Sequence, residues 1–247
     1  MSCSNKNYII CYKNLQEFKK RYVRGKGSGA MTIKTEDLLN SIMDSLDRIT
    51  YIKAEDIPNI DLYMDQVTTF MESRLKRTTR NPGEDKILTK TMINNYAKND
   101  LLPPPYKKKY SKEHVMLLVF IYYYKGILSI NDIQELLEPI TSQFFGTKEP
   151  FNLENVYETA FGLEQGQIDA LKKDITEKFR IAEGTFQDAP EDSQEFLQIF
   201  AFICMLGFDV YLKKLLIEKM IDSFHDNRQC GGKAKEAKAK EGKEQKE

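Results

Sequence analysis

The sequence predicts an all-α protein. Three observations point there. Apolar residues recur at intervals of three and four along most of the chain, no stretch alternates as a sheet strand does, and turn residues separate most periodic segments. With 247 residues, 41 % of them apolar and 30 % charged, the chain is long enough for one or two domains with real cores and too apolar for wholesale disorder.

Residues 1–30 are basic and end in GKGSGA. They lack the long apolar core and small-residue cleavage site of a secretory signal. The helical pattern begins just after Met31, which is expected to be the natural start, with 1–30 as an extension. Thr35 caps a first helix with Leu38, Leu39, Ile42, Met43, Leu46 and Ile49 on one side. Pro58 interrupts, and Asp61 is expected to open a second helix that turns Leu62, Val67, Phe70, Met71 and Leu75 inward. The basic stretch KRTTRNPGEDK (76–86) is a loop broken by Pro82 and Gly83.

Thr89 is a good N-cap for a third helix, with Leu88, Met92, Ile93, Tyr96 and Ala97 apolar and Lys90, Thr91, Asn94, Asn95 and Lys98 opposite. Pro103, Pro104 and Pro105 stop it and stiffen an extended segment, with at most a two-stranded ribbon over 101–110. Ser111 caps an apolar helix ending near Gly126, and Ser129 with Asp132 forms a capping box for another that buries Ile133, Leu136, Leu137 and Ile140. Pro139 to Pro150 reads as a linker. Helical patterns come next at 153–162, 166–182 and 193–225, the last expected to bend or break near Gly207. The tail 229–247 is low-complexity and is expected to be disordered or transiently helical.

The formal net charge is zero, but it is unevenly spread. Residues 73–112 hold eleven Lys or Arg against three acids, whereas 127–228 hold nine against nineteen. The first region attracts a polyanion and the second repels one. Cys3, Cys11, Cys204 and Cys230 show no CxxC spacing and only two histidines exist. Neither a metal site nor another cofactor is therefore expected, and the thiols read as free in a reducing cytoplasm. The apolar runs 115–124 and 199–208 are about half of what spans a bilayer, so no membrane association is predicted. No nucleophile–base pair appears, and the protein is not read as an enzyme.

Taken in order, helix 61–75, a connection, the polar-faced helix 89–99, a basic elbow 102–110 and the pair 111–125 and 129–139 match the plan of a winged helix-turn-helix. An asparagine amide can donate to and accept from adenine at once, and flanking lysines neutralise phosphates. The residues read for duplex DNA are Thr91, Asn94 and Asn95 at base edges and Lys90, Lys98, Lys107, Lys108 and Lys109 on phosphates. Tyr110 either packs the elbow or adds its hydroxyl to that surface.

The stretch LTKTMINNYAKNDLLPPPYKKKYSKEHVMLLVFIYYYKGILSINDIQELL (88–137) resembles the DNA-binding domain of MerR-type regulators. Tyr96, Leu101, Leu102, Pro103, Tyr110, Ser111, Gly126, Ile127, Ser129, Ile133 and Leu137 fall at matching places. The phrases IPNIDLYMDQVTTFM and LTKTMINNY resemble more closely an uncharacterised bacterial family of domains of unknown function. The resemblance implies a transcriptional regulator, and the expected function is sequence-specific DNA binding, as a repressor more than an activator. This wing lacks the family's Gly-Tyr-Arg step, and Pro139 stands where MerR proteins begin a dimerising coiled coil.

The expected organisation is a MerR-like winged helix-turn-helix domain over 31–140 and a C-terminal helical bundle over 150–228. The bundle is assigned to homodimerisation and to an unknown small-molecule effector. The rival reading is a protein–protein interaction module that does not bind DNA. His114 reads as a surface or capping residue, Cys204 as core, and His225 beside Asp222 and Asp226 as a helix-end histidine. The aromatic residues beyond 140 read as core plus dimer surface rather than a ligand cavity.

Overall fold

The computed structural model describes residues 35–46, 51–81 and 84–244, with side chains up to Phe224 and without those of 35, 36, 38, 164 and 165. The expectations for 1–30 and Met31, for Ile49, for Pro82 and Gly83, and for the side chains of Leu38, His225, Asp226 and Cys230 lie outside the described residues. The described chain is mostly helical: α1 Thr35–Leu46, α2 Met64–Leu75, α3 Lys90–Lys98, α4 Lys112–Tyr124, α5 Ile130–Phe144, α6 Leu153–Gly162, α7 Glu164–Glu183 and α8 Glu191–Glu244. Single 3₁₀ turns stand at Ala54–Asp56 and Lys76–Thr78. Two short strands, β1 Leu62–Tyr63 and β2 Lys109–Tyr110, pair antiparallel, with Leu62 opposite Tyr110 and Tyr63 opposite Lys109.

The chain divides into two compact units: Met1–Thr50 with Glu164–Phe208, and Tyr51–Leu163 with Asp209–Glu247. In the first, Leu39, Met43 and Leu46 of α1 pack with Ile175, Phe179 and Ala182 of α7 and Phe202 of α8. Phe179 and Phe202 meet edge to face at 5.4 Å. The sequence reading placed α1 with the helix-turn-helix segment. Periodicity identifies an apolar face but not what covers it, and α1 is covered by α7 and α8.

The second unit is built on α4, whose residues from His114 to Ile121 are all buried. Against it lie Val67, Met71 and Leu75 of α2, Ile93 and Tyr96 of α3, Ile133 and Leu137 of α5, Tyr157 and Phe161 of α6, and Ile221 of α8. Burying an aliphatic or aromatic side chain of this kind contributes about 1.5–3 kcal/mol, so this layer dominates the unit's stability. Phe161 stacks on Phe120 at 4.9 Å, and Tyr157 meets Phe120 edge to face at 5.5 Å. The Tyr157 hydroxyl donates to the carbonyl of Ile52, 105 positions earlier.

Several element boundaries depart from the sequence reading. Leu62 and Tyr63 form β1 instead of opening a helix, so α2 starts at Met64, with Gln66 Oε1 accepting from the Tyr63 N–H at 2.8 Å. The ribbon partner of β2 is thus this upstream strand; within 101–110 only an isolated bridge joins Tyr106 to Lys109. Pro139 lies inside α5, which continues to Phe144 where a linker was expected. Ile140, Phe144 and Phe145 pack against the core, which outweighs the hydrogen bond that proline forfeits. Helix α8 runs through Gly207 and on through the tail to Glu244; the expected break coincides instead with the division between units at Phe208 and Asp209. Cys204, read as core, is exposed, because FAFICMLGF is apolar on every side of its helix while only Phe202 is buried within it. No described helix is long and apolar enough to cross a membrane, and no described group of His, Cys, Asp and Glu has the makings of a metal site.

Candidate nucleic-acid interface

Helix α3 is held at both ends. Thr89 Oγ1 accepts from the Met92 N–H at 3.1 Å, the cap its sequence predicts. At the other end the Leu101 and Leu102 N–H groups both donate to the Tyr96 carbonyl, at 2.9 and 3.2 Å, around Asp100 in the left-handed region at φ 54°. Ile93 and Tyr96 are buried, so the opposite face is turned to solvent. Lys90, Thr91, Asn94, Asn95 and Lys98 are all exposed there. Every residue predicted to read DNA from this helix therefore lies on a single open face.

The connection into α3 is pinned to α4. The Thr78 and Tyr122 hydroxyls are 2.6 Å apart, and Lys125 Nζ donates to the Ile87 carbonyl at 2.5 Å while lying over the Tyr122 ring. Burial pushes the Lys125 ammonium below the usual lysine range.

After the prolines the chain makes a two-residue hairpin turn, closed by the Lys109 N–H donating to the Tyr106 carbonyl at 2.9 Å. Its two central residues are Lys107 at φ 48° and Lys108 at φ 64°. Two positive φ values define the turn that matches strand twist, and that turn ordinarily takes Asn or Gly. A left-handed lysine costs about 1–2 kcal/mol. Both side chains are exposed at the tip, whereas Lys109 is half-buried in β2.

Aromatic rings and one carboxylate organise these cations. The Lys107 ammonium lies 5.1 Å from the Tyr106 ring centroid and that of Lys109 5.2 Å from Tyr63. Tyr63 is the β1 residue opposite Lys109, and two positions on, Asp65 ion-pairs with Lys90. The contacts Lys109–Tyr63 and Asp65–Lys90, made by residues two positions apart, thus tie both the hairpin and the first turn of α3 to the start of α2. The sequence reading missed Tyr63, Tyr106 and Asp65. A strand of two residues leaves no alternation to detect, and a pair 25 positions apart leaves no spacing signal.

Tyr110 does not share this surface. Its ring is buried, packs edge to face on His114 at 5.5 Å, and burial raises its hydroxyl above the usual tyrosine range. It packs the elbow, the first of its two readings. His114 caps as expected but is buried rather than at the surface: Nδ1 lies 3.0 Å from the Ser111 N–H and 2.8 Å from Ser111 Oγ. The ring also meets Phe145 at 4.8 Å. As Nδ1 accepts the backbone proton, the neutral ring carries its own on Nε2, which is buried with no hydrogen-bond partner in good geometry. Burial lowers the His114 pKa, an effect opposed by the Pro104 and Pro103 carbonyls and by Asp61.

Asp65 is the acid placed among these cations, and a phosphate approaching Lys90 must displace or repel it. If this face meets a duplex, Asp65→Asn should strengthen that binding several-fold at low salt and steepen its salt dependence by about one phosphate contact, roughly 0.9 in log–log slope. Anisotropy titrations at several salt concentrations measure both; an unchanged slope shows that Lys90 does not meet phosphate.

No curated protein and no solved structure matches the chain. Residues 52–160 match the family described as Domain of unknown function (DUF1836), and that stretch coincides with the Tyr51–Leu163 part of the second unit, which carries α3 and the lysine-tipped hairpin.

Proposed function

We propose that the protein is a sequence-specific DNA-binding regulator of transcription whose second unit works as a winged helix-turn-helix: α2 and α3 form the helix pair, and the Tyr106–Lys109 hairpin is the wing. One observation carries the reading. Two lysines occupy the tip of a hairpin in a conformation that glycine or asparagine would hold with less strain, beside an exposed helix face of two asparagines, a threonine and two lysines. Strain kept at a cationic tip marks a place where charge matters more than stability. Asn94 and Asn95 present amides to base edges, Thr91 adds a hydroxyl, and Lys90, Lys98, Lys107, Lys108 and Lys109 meet the backbone. The MerR-like order of elements supports this, as does the pairing of β2 with a strand just ahead of the first helix of the pair. The reading makes the protein a repressor acting on duplex DNA in the cytoplasm, with the unit containing α7 left for an effector.

The test is binding to duplex as a function of salt. The wild-type chain should bind mixed-sequence duplex tightly at low salt and lose affinity steeply as salt rises. Asn94→Ala with Asn95→Ala should leave the slope intact and cost about 1–3 kcal/mol of preference for a selected site over random duplex. A chain that binds no duplex at low salt is instead the interaction module.

A further inference from the structure

We infer that the segment of α8 from Leu212 to Phe224 is a homodimer interface that pairs antiparallel with the same segment of a second copy, about a two-fold axis level with Glu218. The segment has three sides. Ile217 and Ile221 face the core of the second unit. Lys214 and Glu218 form an i,i+4 ion pair at 3.5 Å, and Asp222 extends that polar stripe by another turn. The third side holds Leu212, Leu216, Met220 and Phe224, four apart and between 45 and 60 % exposed. A surface helix needs one apolar face to cover its core and is ordinarily polar elsewhere. This ridge does nothing for the fold that Ile217 and Ile221 do not already do.

Its area suits a second copy. At about 200 Å² for a large side chain, half exposed, the ridge offers about 400 Å² per chain. A pair buries about 800 Å² of apolar surface, so Lys213, Lys219 and Ser223 at its rim have to bring the contact up to the roughly 1,200–2,000 Å² that stable complexes bury. Self-complementarity is built into the spacing. About an axis level with Glu218, Leu212 meets Phe224 and Leu216 meets Met220, which is what an isologous contact requires.

Charge selects the direction. Lys213 borders the ridge three positions before Leu216, and Ser223 borders it three positions after Met220. Antiparallel pairing puts each Lys213 against a Ser223. Parallel pairing would put Lys213 against Lys213 and Lys219 against Lys219, like charges at short range. The inference stands apart from the DNA reading, and either can fail alone. If both hold, the dimer supplies the two recognition helices that a palindromic site requires.

Light scattering on the full chain across a concentration series tests it. The expected mass is twice the 28.7 kDa of one chain, falling to a single chain in Leu216→Asp with Met220→Asp, whose far-UV circular dichroism stays at the wild-type level because both sites are exposed. Two further variants read the register. Ser223→Glu should tighten the dimer and Ser223→Lys loosen it, each by about fivefold, since every exchange acts twice across the axis. A single-chain mass for the wild type at all concentrations overturns the inference, as when another part of the same chain covers the ridge. So does a dimer that survives the double aspartate exchange. If that double variant loses helicity, the Ser223 pair decides: equal dimer affinities for both exchanges overturn the inference.

Discussion

Exchanging Lys107 for Asn and Lys108 for Gly is expected to make the protein more stable and a weaker DNA binder at the same time. Both lysines sit at positive φ, 48° and 64°, in the turn where Asn-Gly is the preferred pair. Relieving two left-handed side-chain conformations contributes about 1–2 kcal/mol in total, somewhat less than the full penalty because glycine also gains freedom in the unfolded chain. That raises the melting temperature by several degrees for a unit of this size. The hairpin keeps its Lys109-to-Tyr106 hydrogen bond, so the surface loses two ammonium groups and the contact of one of them, Lys107, with the Tyr106 ring. The salt slope of duplex binding should flatten by about 1.8, two phosphates' worth. Thermal melts and salt titrations on the same preparation check both arms. A destabilised variant would show that the lysines hold the hairpin together, and an unchanged slope that they do not meet the duplex.

The second large effect is a loss of stability below neutral pH centred on His114. In the fold its Nδ1 accepts the Ser111 N–H, and burial lowers its pKa. The unfolded chain takes up the proton near pH 6.5, whereas the folded chain resists it. Between the lowered value and 6.5 the unfolded state binds more protons. Stability is complete above that window and falls as pH drops through it, by at most about 1.4 kcal/mol per pH unit. Protonation turns the Nδ1 acceptor into a donor facing another donor, so the α4 capping box breaks together with the contacts to Tyr110 and Phe145. Glu113, accepting from the Gly146 N–H at 3.0 and 3.1 Å, has a raised carboxyl pKa for which burial is the largest cause. Its effect on stability has the opposite sign. His114→Asn removes the titration and keeps an acceptor; Asn155 plays that part in α6, taking the Asn152 N–H at 3.0 Å. Urea melts from pH 7.5 to 5 should show the slope in wild type and its absence in His114→Asn. Parallel curves would place the acid sensitivity elsewhere.

Chemistry local to one turn of chain was legible in the sequence. Thr89 and Ser129 cap helices where expected, and the three prolines end the segment that carries the exposed asparagines. The open face of α3 was legible for the same reason: Ile93 and Tyr96 fix its inward side, and the helical period fixes the rest. The features that escaped depend on partners distant in sequence. Pro139 is tolerated because Ile140 and Phe144 have a core to pack against, and that core is assembled from α2, α4 and α6. Tyr110 is buried because His114 and Leu62 lie around it. Cys204 is exposed because its apolar helix turns a single side, that of Phe202, to α1 and α7. Asp65 became visible as a partner of the α3 lysines only when Lys90 came within reach of it.

The bond from the Tyr157 hydroxyl to the Ile52 carbonyl has a practical corollary for dissecting the chain. It fastens the first turn of the matched stretch to the last, much as a clasp closes a strap, and each half of the clasp lies within a few positions of an edge of the 52–160 match. A fragment ending before Tyr157 leaves the Ile52 carbonyl without its donor and uncovers Phe120, whereas one beginning after Ile52 removes the carbonyl to which the Tyr157 hydroxyl donates. Trimming at either edge therefore breaks the bond, and the smallest piece worth expressing keeps the two together.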